Sequence, residues 1–177
     1  NWHSDNTFMP EPPMGSILHL HTVPSSGGDT IFSSMYSAYE SLSAPMKKLL
    51  DGLTATHDGE HVYRGRYSER GVDDIAKSYP KAVHPVVRTH PVTGRKALYV
   101  NAYFTTHINE LSTEESRALL DYLAVHTTQP AFQCRFKWRR NSVAFWDNRC
   151  VQHIAMWDYY PQVRSGYRVT VKGGRPS

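Results

Sequence analysis

Short strand-like runs dominate this chain, and in them apolar and polar positions alternate with the period of two that a half-buried strand requires. Gly15 to Val23 carries Ile17, Leu18, Leu20 and Val23 between a Pro-rich and a Gly-rich break, which predicts a strand. Phe132 to Trp138 alternates strictly and is followed by Asn141-Ser142 and then by Val143-Ala144-Phe145-Trp146, a pattern that reads as a β-hairpin. Helical spacing replaces alternation in three places. Ser34 to Leu42 and Pro45 to Leu53 have it, and Ser112 opens a third helix with Thr113-Glu114-Glu115 in its first turn and Leu119, Leu120 and Leu123 as its apolar stripe. These helices are expected to brace a sheet. Asp58 to Pro80 is polar and irregular, a lid or, more ordinarily, a surface excursion. The pattern alone gives a β-rich α+β domain.

Composition leaves that picture intact. A length of 177 residues with 40% hydrophobic content suits one core, so residues 1–177 read as a single domain. The mean hydropathy is −0.53, and no apolar run approaches the roughly 20 residues of a membrane-spanning helix. With no export leader visible, a cytoplasmic location is expected. Twenty Lys and Arg against sixteen Asp and Glu leave a net charge of +4. That balance hints at nucleic acid, but the basic residues are scattered, and the densest run, Lys137-Trp138-Arg139-Arg140, reads as a solvated face. Two cysteines, Cys134 and Cys150, are too few for a disulfide scaffold; they sit in segments that could pair as neighbouring strands, and free, partly buried thiols are expected.

The chemistry enters at the start of the chain. In an extended Trp2-His3-Ser4-Asp5, positions two apart face the same way, so His3 and Asp5 can reach one ion together, and His153 offers a third ligand. Two histidines and one carboxylate make the facial arrangement of non-haem Fe(II) oxygenases. Alone, a His and an Asp two apart more often just hydrogen-bond at a surface. His19-Leu20-His21 has no nearby carboxylate, and His57-Asp58-Gly59-Glu60-His61 has the wrong order for a zinc-protease helix and a helix-breaking Gly. His84 and His90, each beside a proline, read as hydrogen-bonded strand-end residues.

Longer blocks surround the ligands. Trp2 to Phe8, Gly27-Gly28-Asp29-Thr30, Val86-Val87-Arg88-Thr89-His90-Pro91, Gly94 to Asn101, and Trp146 to His153 running on to Tyr159 to Arg168 occur in order. Together they resemble the taurine dioxygenase (TauD/TfdA) family of Fe(II)- and 2-oxoglutarate-dependent dioxygenases over nearly the whole chain. The resemblance implies a double-stranded β-helix, or jelly roll, with flanking helices. Family members carry a substantial segment before the first ligand, so the chain looks like the C-terminal part of the family domain.

By the same resemblance, His3, Asp5 and His153 hold Fe(II) and leave positions for 2-oxoglutarate and O2. Arg164 pairs with the distal carboxylate of 2-oxoglutarate, helped by Thr30, while Arg168 faces the acid group of the prime substrate or joins Arg164 on the cosubstrate. Gly166 lies between the two arginines, which in a strand share one face with backbones about 13 Å apart. Phe104 and Phe8 align with aromatic substrate positions. Asn6 stands where taurine-hydroxylating members carry an apolar residue, which weakens taurine itself. The implied partner is a small anionic substrate, not nucleic acid or membrane, with self-association left open. The implied reaction is hydroxylation of a sulfonate or alkyl sulfate with release of sulfite or sulfate. The alternatives are an aryloxyalkanoate dioxygenase and a non-catalytic jelly-roll module that binds a metal and an acid.

Overall fold

The computed structural model describes residues 1–177 apart from Tyr67, Val72 and Ile75. In chain order its elements are β1 (Gly15–Thr22), β2 (Thr30–Ser34), α1 (Met35–Glu40), α2 (Ala44–Leu50), β3 (Thr54–Asp58), α3 (Glu60–Tyr63), β4 (Lys81–Pro85), β5 (Val87–Thr89), β6 (Lys96–Leu98), β7 (Thr105–Ile108), α4 (Thr113–Thr127), β8 (Gln133–Phe136), β9 (Ser142–Asp147), β10 (Val151–Ala155) and β11 (Ser165–Val171).

Two antiparallel sheets position the site. In one, β1 lies between β11 and β9; in the other, β2 lies between β10 and β8. Their inner faces meet over Leu20, Trp138, Ala144 and Trp146, with Leu18, Phe32 and Phe136 packed alongside. A larger core lies under the helices, where Met35 and Ala38 of α1, Leu50 of α2 and Leu119 and Leu123 of α4 join Ala55, Val86, Leu98 and Ile108. The expected bracing of sheets by helices is therefore present. Helix α4 starts as its sequence predicts, with the Ser112 side chain accepting from the Glu115 N–H and the Glu115 carboxylate accepting from the Ser112 N–H. Among the described residues no helix is long and apolar enough to cross a membrane.

Three expectations need correction. Phe132 to Trp146 is no hairpin: β8 pairs with β2 and β9 with β1, so the chain crosses from one sheet to the other at the turn where Asn141 has a positive φ of 65°. Alternation marks a half-buried strand but does not name its partner, and buried Trp138 sits between the layers. The cysteine segments are not neighbours either, because β8 and β10 flank β2 on opposite sides; both thiols are free, Cys150 buried and Cys134 exposed. Finally, Arg164 precedes β11 instead of sharing that strand with Arg168. Asp58 to Pro80 contains the three residues outside the description, and its described parts include α3 and a short 3-10 turn at Ser68–Arg70.

Candidate metal centre and anion site

His3 and His153 are brought together by the backbone itself. They form an isolated antiparallel bridge in which the His3 N–H donates to His153 O at 3.2 Å and the His153 N–H to His3 O at 2.8 Å. Residues paired in this way project to the same side, and the two imidazole centroids lie 4.4 Å apart. Beyond His3 the chain turns, with Asn6 at a positive φ of 52°, and Asp5 is buried beneath the pair. Asp5 Oδ1 lies 3.7 Å from His3 Nε2 and 3.8 Å from His153 Nε2.

The three ligand atoms all lie within 4.8 Å of one another. Ligand bonds of about 2.1 Å place two ligands of one ion no more than about 4.2 Å apart, so the carboxylate distances suit a shared ion. Protonation states suit it too. Burial pushes His153 down to about 3, leaving its imidazole neutral. Burial alone would raise the Asp5 carboxyl, but its polar surroundings, the Arg168 guanidinium and the Ser16 hydroxyl among them, outweigh it, and Asp5 is held well below the usual carboxylate range. His3 Nδ1 lies 2.9 Å from Asn1 O, a contact that fixes the tautomer leaving Nε2 as a lone-pair donor.

Residues that no sequence motif marks hold Asp5 in place. Ser16, on β1, donates its hydroxyl to Asp5 Oδ2 at 2.6 Å. Asn148 accepts from the Asp5 N–H at 2.6 Å and donates to Asp5 O at 2.9 Å, tying the ligand loop to the turn between β9 and β10. Arg168 Nη1 lies 3.0 Å from Asp5 Oδ1, so the guanidinium expected on a substrate acid also touches the metal-ligand carboxylate.

The second constellation lies on β2. Thr30 and Phe32 share a face, and Phe32 is the residue paired with His153. Thr30 is therefore displaced from the histidine's row by about 7 Å along the strand. Its hydroxyl accepts from Arg164 Nη2 at 3.2 Å and from Trp138 Nε1 at 3.0 Å, while Arg164 Nε donates to Gly28 O at 2.9 Å. Trp138, which the sequence places at the end of an alternating strand and in a solvated basic run, packs its ring 5.5 Å from the guanidinium. Gly28 has φ +71°, and a Cβ there would meet Arg164 Cδ at 3.2 Å, so the glycine admits the arginine stem. The arrangement sets a fixed guanidinium beside a hydroxyl, the donor types that a small anion would need.

Phe104 is almost fully buried, its ring 6.2 Å from His3 and 5.0 Å from Phe8. Asn101 sets it by accepting from the Tyr103 and Phe104 N–H groups and donating to the Thr7 hydroxyl. Asn6 and Phe8 line a cavity of about 320 Å³ walled by Tyr63, Tyr79 and Pro80. His19 and His21 share a face, their rings 6.4 Å apart, and among the described residues they join no metal-type cluster. His84 Nε2 lies 2.8 Å from Thr7 O, as expected of a hydrogen-bonded residue. A second cluster, His90, Asp147 and Cys150, was missed from sequence. Its groups already have protein partners: His90 Nε2 and the Arg149 guanidinium hold Asp147, and His90 Nδ1 accepts from the Thr93 N–H.

Known proteins resemble this chain in sequence and overall structure. The family model for the taurine catabolism dioxygenase TauD, TfdA family matches residues 1–170. A solved structure titled as a taurine dioxygenase from Burkholderia xenovorans superposes with TM-score 0.86 at 40% identity, covering 99% of this chain and 59% of that one. A second, titled AAD-2 in complex with Mn(II) and N-oxalylglycine, has TM-score 0.87 at 33% identity over 99% of this chain and 69% of its own. The α-ketoglutarate-dependent sulfate ester dioxygenase of Pseudomonas putida is 36% identical over 99% of this chain and 60% of the relative. The chain spans about half the length of the curated relatives first matched, 44% of one and 60% of another. Its sheet-rich architecture is the jelly roll of these neighbours, and with an ordered match over 170 residues the chain belongs to the TauD/TfdA dioxygenase family.

Proposed function

We propose that this chain carries the catalytic centre of an Fe(II)- and 2-oxoglutarate-dependent dioxygenase. Its prime substrate is a small organic acid, a sulfonate such as taurine or an alkyl sulfate, hydroxylated with release of sulfite or sulfate and an aldehyde beside succinate and CO2. The observation that carries the reading is the convergence of His3, Asp5 and His153 one strand away from the Arg164–Thr30 anion site. The relatives add support, being named for α-ketoglutarate-dependent chemistry on sulfonates, sulfate esters and aryloxyalkanoates.

In this reading His3, Asp5 and His153 bind Fe(II), and the bound ion with 2-oxoglutarate and dioxygen supplies the oxidising power. Arg164 and Thr30 grip the distal carboxylate of 2-oxoglutarate, which orients its 2-oxo acid end toward the ligand face. Arg164 is desolvated by burial yet stays charged, so it is a strong anchor for a carboxylate. Arg168 orients the prime substrate by its acid group. Phe104 and Phe8 exclude water beside it, and Asn6 admits a more polar or bulkier acid than taurine into the neighbouring cavity. The reaction belongs to the cytoplasm in this proposal, with neither nucleic acid nor membrane as partner.

Succinate formation from 2-oxoglutarate with Fe(II), ascorbate and oxygen tests the proposal across taurine, alkylsulfonates, alkyl sulfates and aryloxyalkanoates. Succinate rising with a sulfonate or alkyl sulfate is expected. A rise only with aryloxyalkanoates would replace the substrate class. No turnover with any acid despite bound iron would contradict the enzyme reading and favour a binding module.

A further inference from the structure

The two oxygens of the Asp5 carboxylate have different neighbours. Oδ2 accepts from Ser16, a short bond from a buried hydroxyl. Oδ1 is the oxygen that faces both histidine Nε2 atoms, and it is also the one that Arg168 Nη1 reaches at 3.0 Å. Arg168 therefore touches the ligand oxygen itself and not the back of the carboxylate.

Burial makes that contact consequential. The Asp5 side chain is 4% exposed, and a carboxylate so far removed from water needs a compensating cation or a dense set of donors. Of the groups that face Asp5 among the described residues, two histidines and one arginine, Arg168 is the one permanently charged cation. The arginine is placed to serve as a movable counter-charge. Its backbone is fixed opposite Leu18 on β1, beside Gly166, where any Cβ would lie 2.0 Å from His19 O. Its side chain, however, is 45% exposed, so the head group can swing while the strand stays still.

We infer that Arg168 is a rival of the metal ion for Asp5 Oδ1: it neutralises the carboxylate when no ion is bound and weakens the hold on the ion when one is. This rests on the metal reading above and adds to it a residue that tunes metal loading. A divalent ion and a guanidinium on one oxygen repel each other and draw on the same lone pairs, so each binds less tightly in the other's presence. The guanidinium is thus shared between Asp5 and the acid group proposed for it, serving one at the other's expense.

Titration of the purified protein with Mn(II) alone, by calorimetry, tests the inference without turnover. Arg168→Gln should bind Mn(II) about tenfold more tightly than wild type, an exposed-side-chain value for loss of one nearby positive charge. Arg168→Lys, which keeps the charge, should stay closer to wild type. Thermal unfolding supplies a second readout. Arg168→Gln should lower Tm without metal and match wild type at saturating Mn(II), whereas a merely structural arginine would lower both alike. Unchanged or weaker Mn(II) binding in Arg168→Gln would overturn the inference while leaving the metal centre standing, provided His153→Ala abolishes binding. If wild type binds no Mn(II), or His153→Ala binds it equally well, the metal reading fails and the inference with it.

Discussion

At the scale of single residues, the proposed metal centre depends on what surrounds Asp5 as much as on the three proposed ligands. Ser16 and Asn148 fix the carboxylate and its backbone from two different strand ends, and partners of this kind usually change metal affinity by about 10- to 100-fold. Ser16→Ala should therefore weaken Mn(II) binding within that range while leaving the fold intact, measured by titration and circular dichroism; unchanged affinity would remove Ser16 from the centre. The convergence of His3, Asp5 and His153, the proposed ligands, was legible because a His and an Asp two apart, joined to a distant block ending in His153, form a recognisable set. Ser16, Asn148 and Trp138 were not. A lone Ser in a strand, an Asn in a turn and a Trp in a basic run carry no spacing signal, and their roles arise only when distant segments meet.

Elements carry these residues to their places. Strand β11 brings Arg168 to Asp5, and Arg164 enters just before it. Gly166 between them lets β11 approach β1 closely enough for the register Leu20↔Gly166 and Leu18↔Arg168. Gly166→Ala should thus disturb both arginines at once, lowering Tm and weakening 2-oxoglutarate binding together; an alanine variant with wild-type affinity and stability would show that the pairing yields more easily than the 2.0 Å approach implies. The cap of α4 is a contrasting case. Ser112→Ala should cost about 1 kcal/mol in denaturant unfolding and leave Mn(II) affinity unchanged, since α4 contributes to the larger core and not to the ligands. Helix starts were readable from sequence because the capping residues are local. The supposed hairpin was not, because β8 and β9 look like neighbours in sequence while their partners, β2 and β1, lie a hundred residues or more upstream.

On the scale of the whole molecule, His153 on β10 and His57 on β3, which pairs with β4 and β7 in a separate sheet, are both buried in neutral form. Burial lowers both His57 and His153 to about 3. An unfolded chain binds protons at these positions below its ordinary value near 6.5, whereas the folded chain does not, so folding stability must fall as pH drops from about 6.5 toward 3. Asp5, held below its ordinary value, adds its own loss only at still lower pH, as the solution falls through the unfolded carboxylate range. Urea unfolding of the metal-free protein at pH 7, 6 and 5 should show a decreasing midpoint, and a flat profile would contradict buried neutral histidines. The central claim concerns the joint site. Anaerobic addition of Fe(II) and 2-oxoglutarate should give a weak visible absorption band, since bidentate chelation of the 2-oxo acid at a ferrous centre produces one. The account predicts that the band appears in wild type, needs far more 2-oxoglutarate in Arg164→Gln, and vanishes in His3→Ala and His153→Ala. A band that survives loss of either histidine, or none in the wild type, would contradict it.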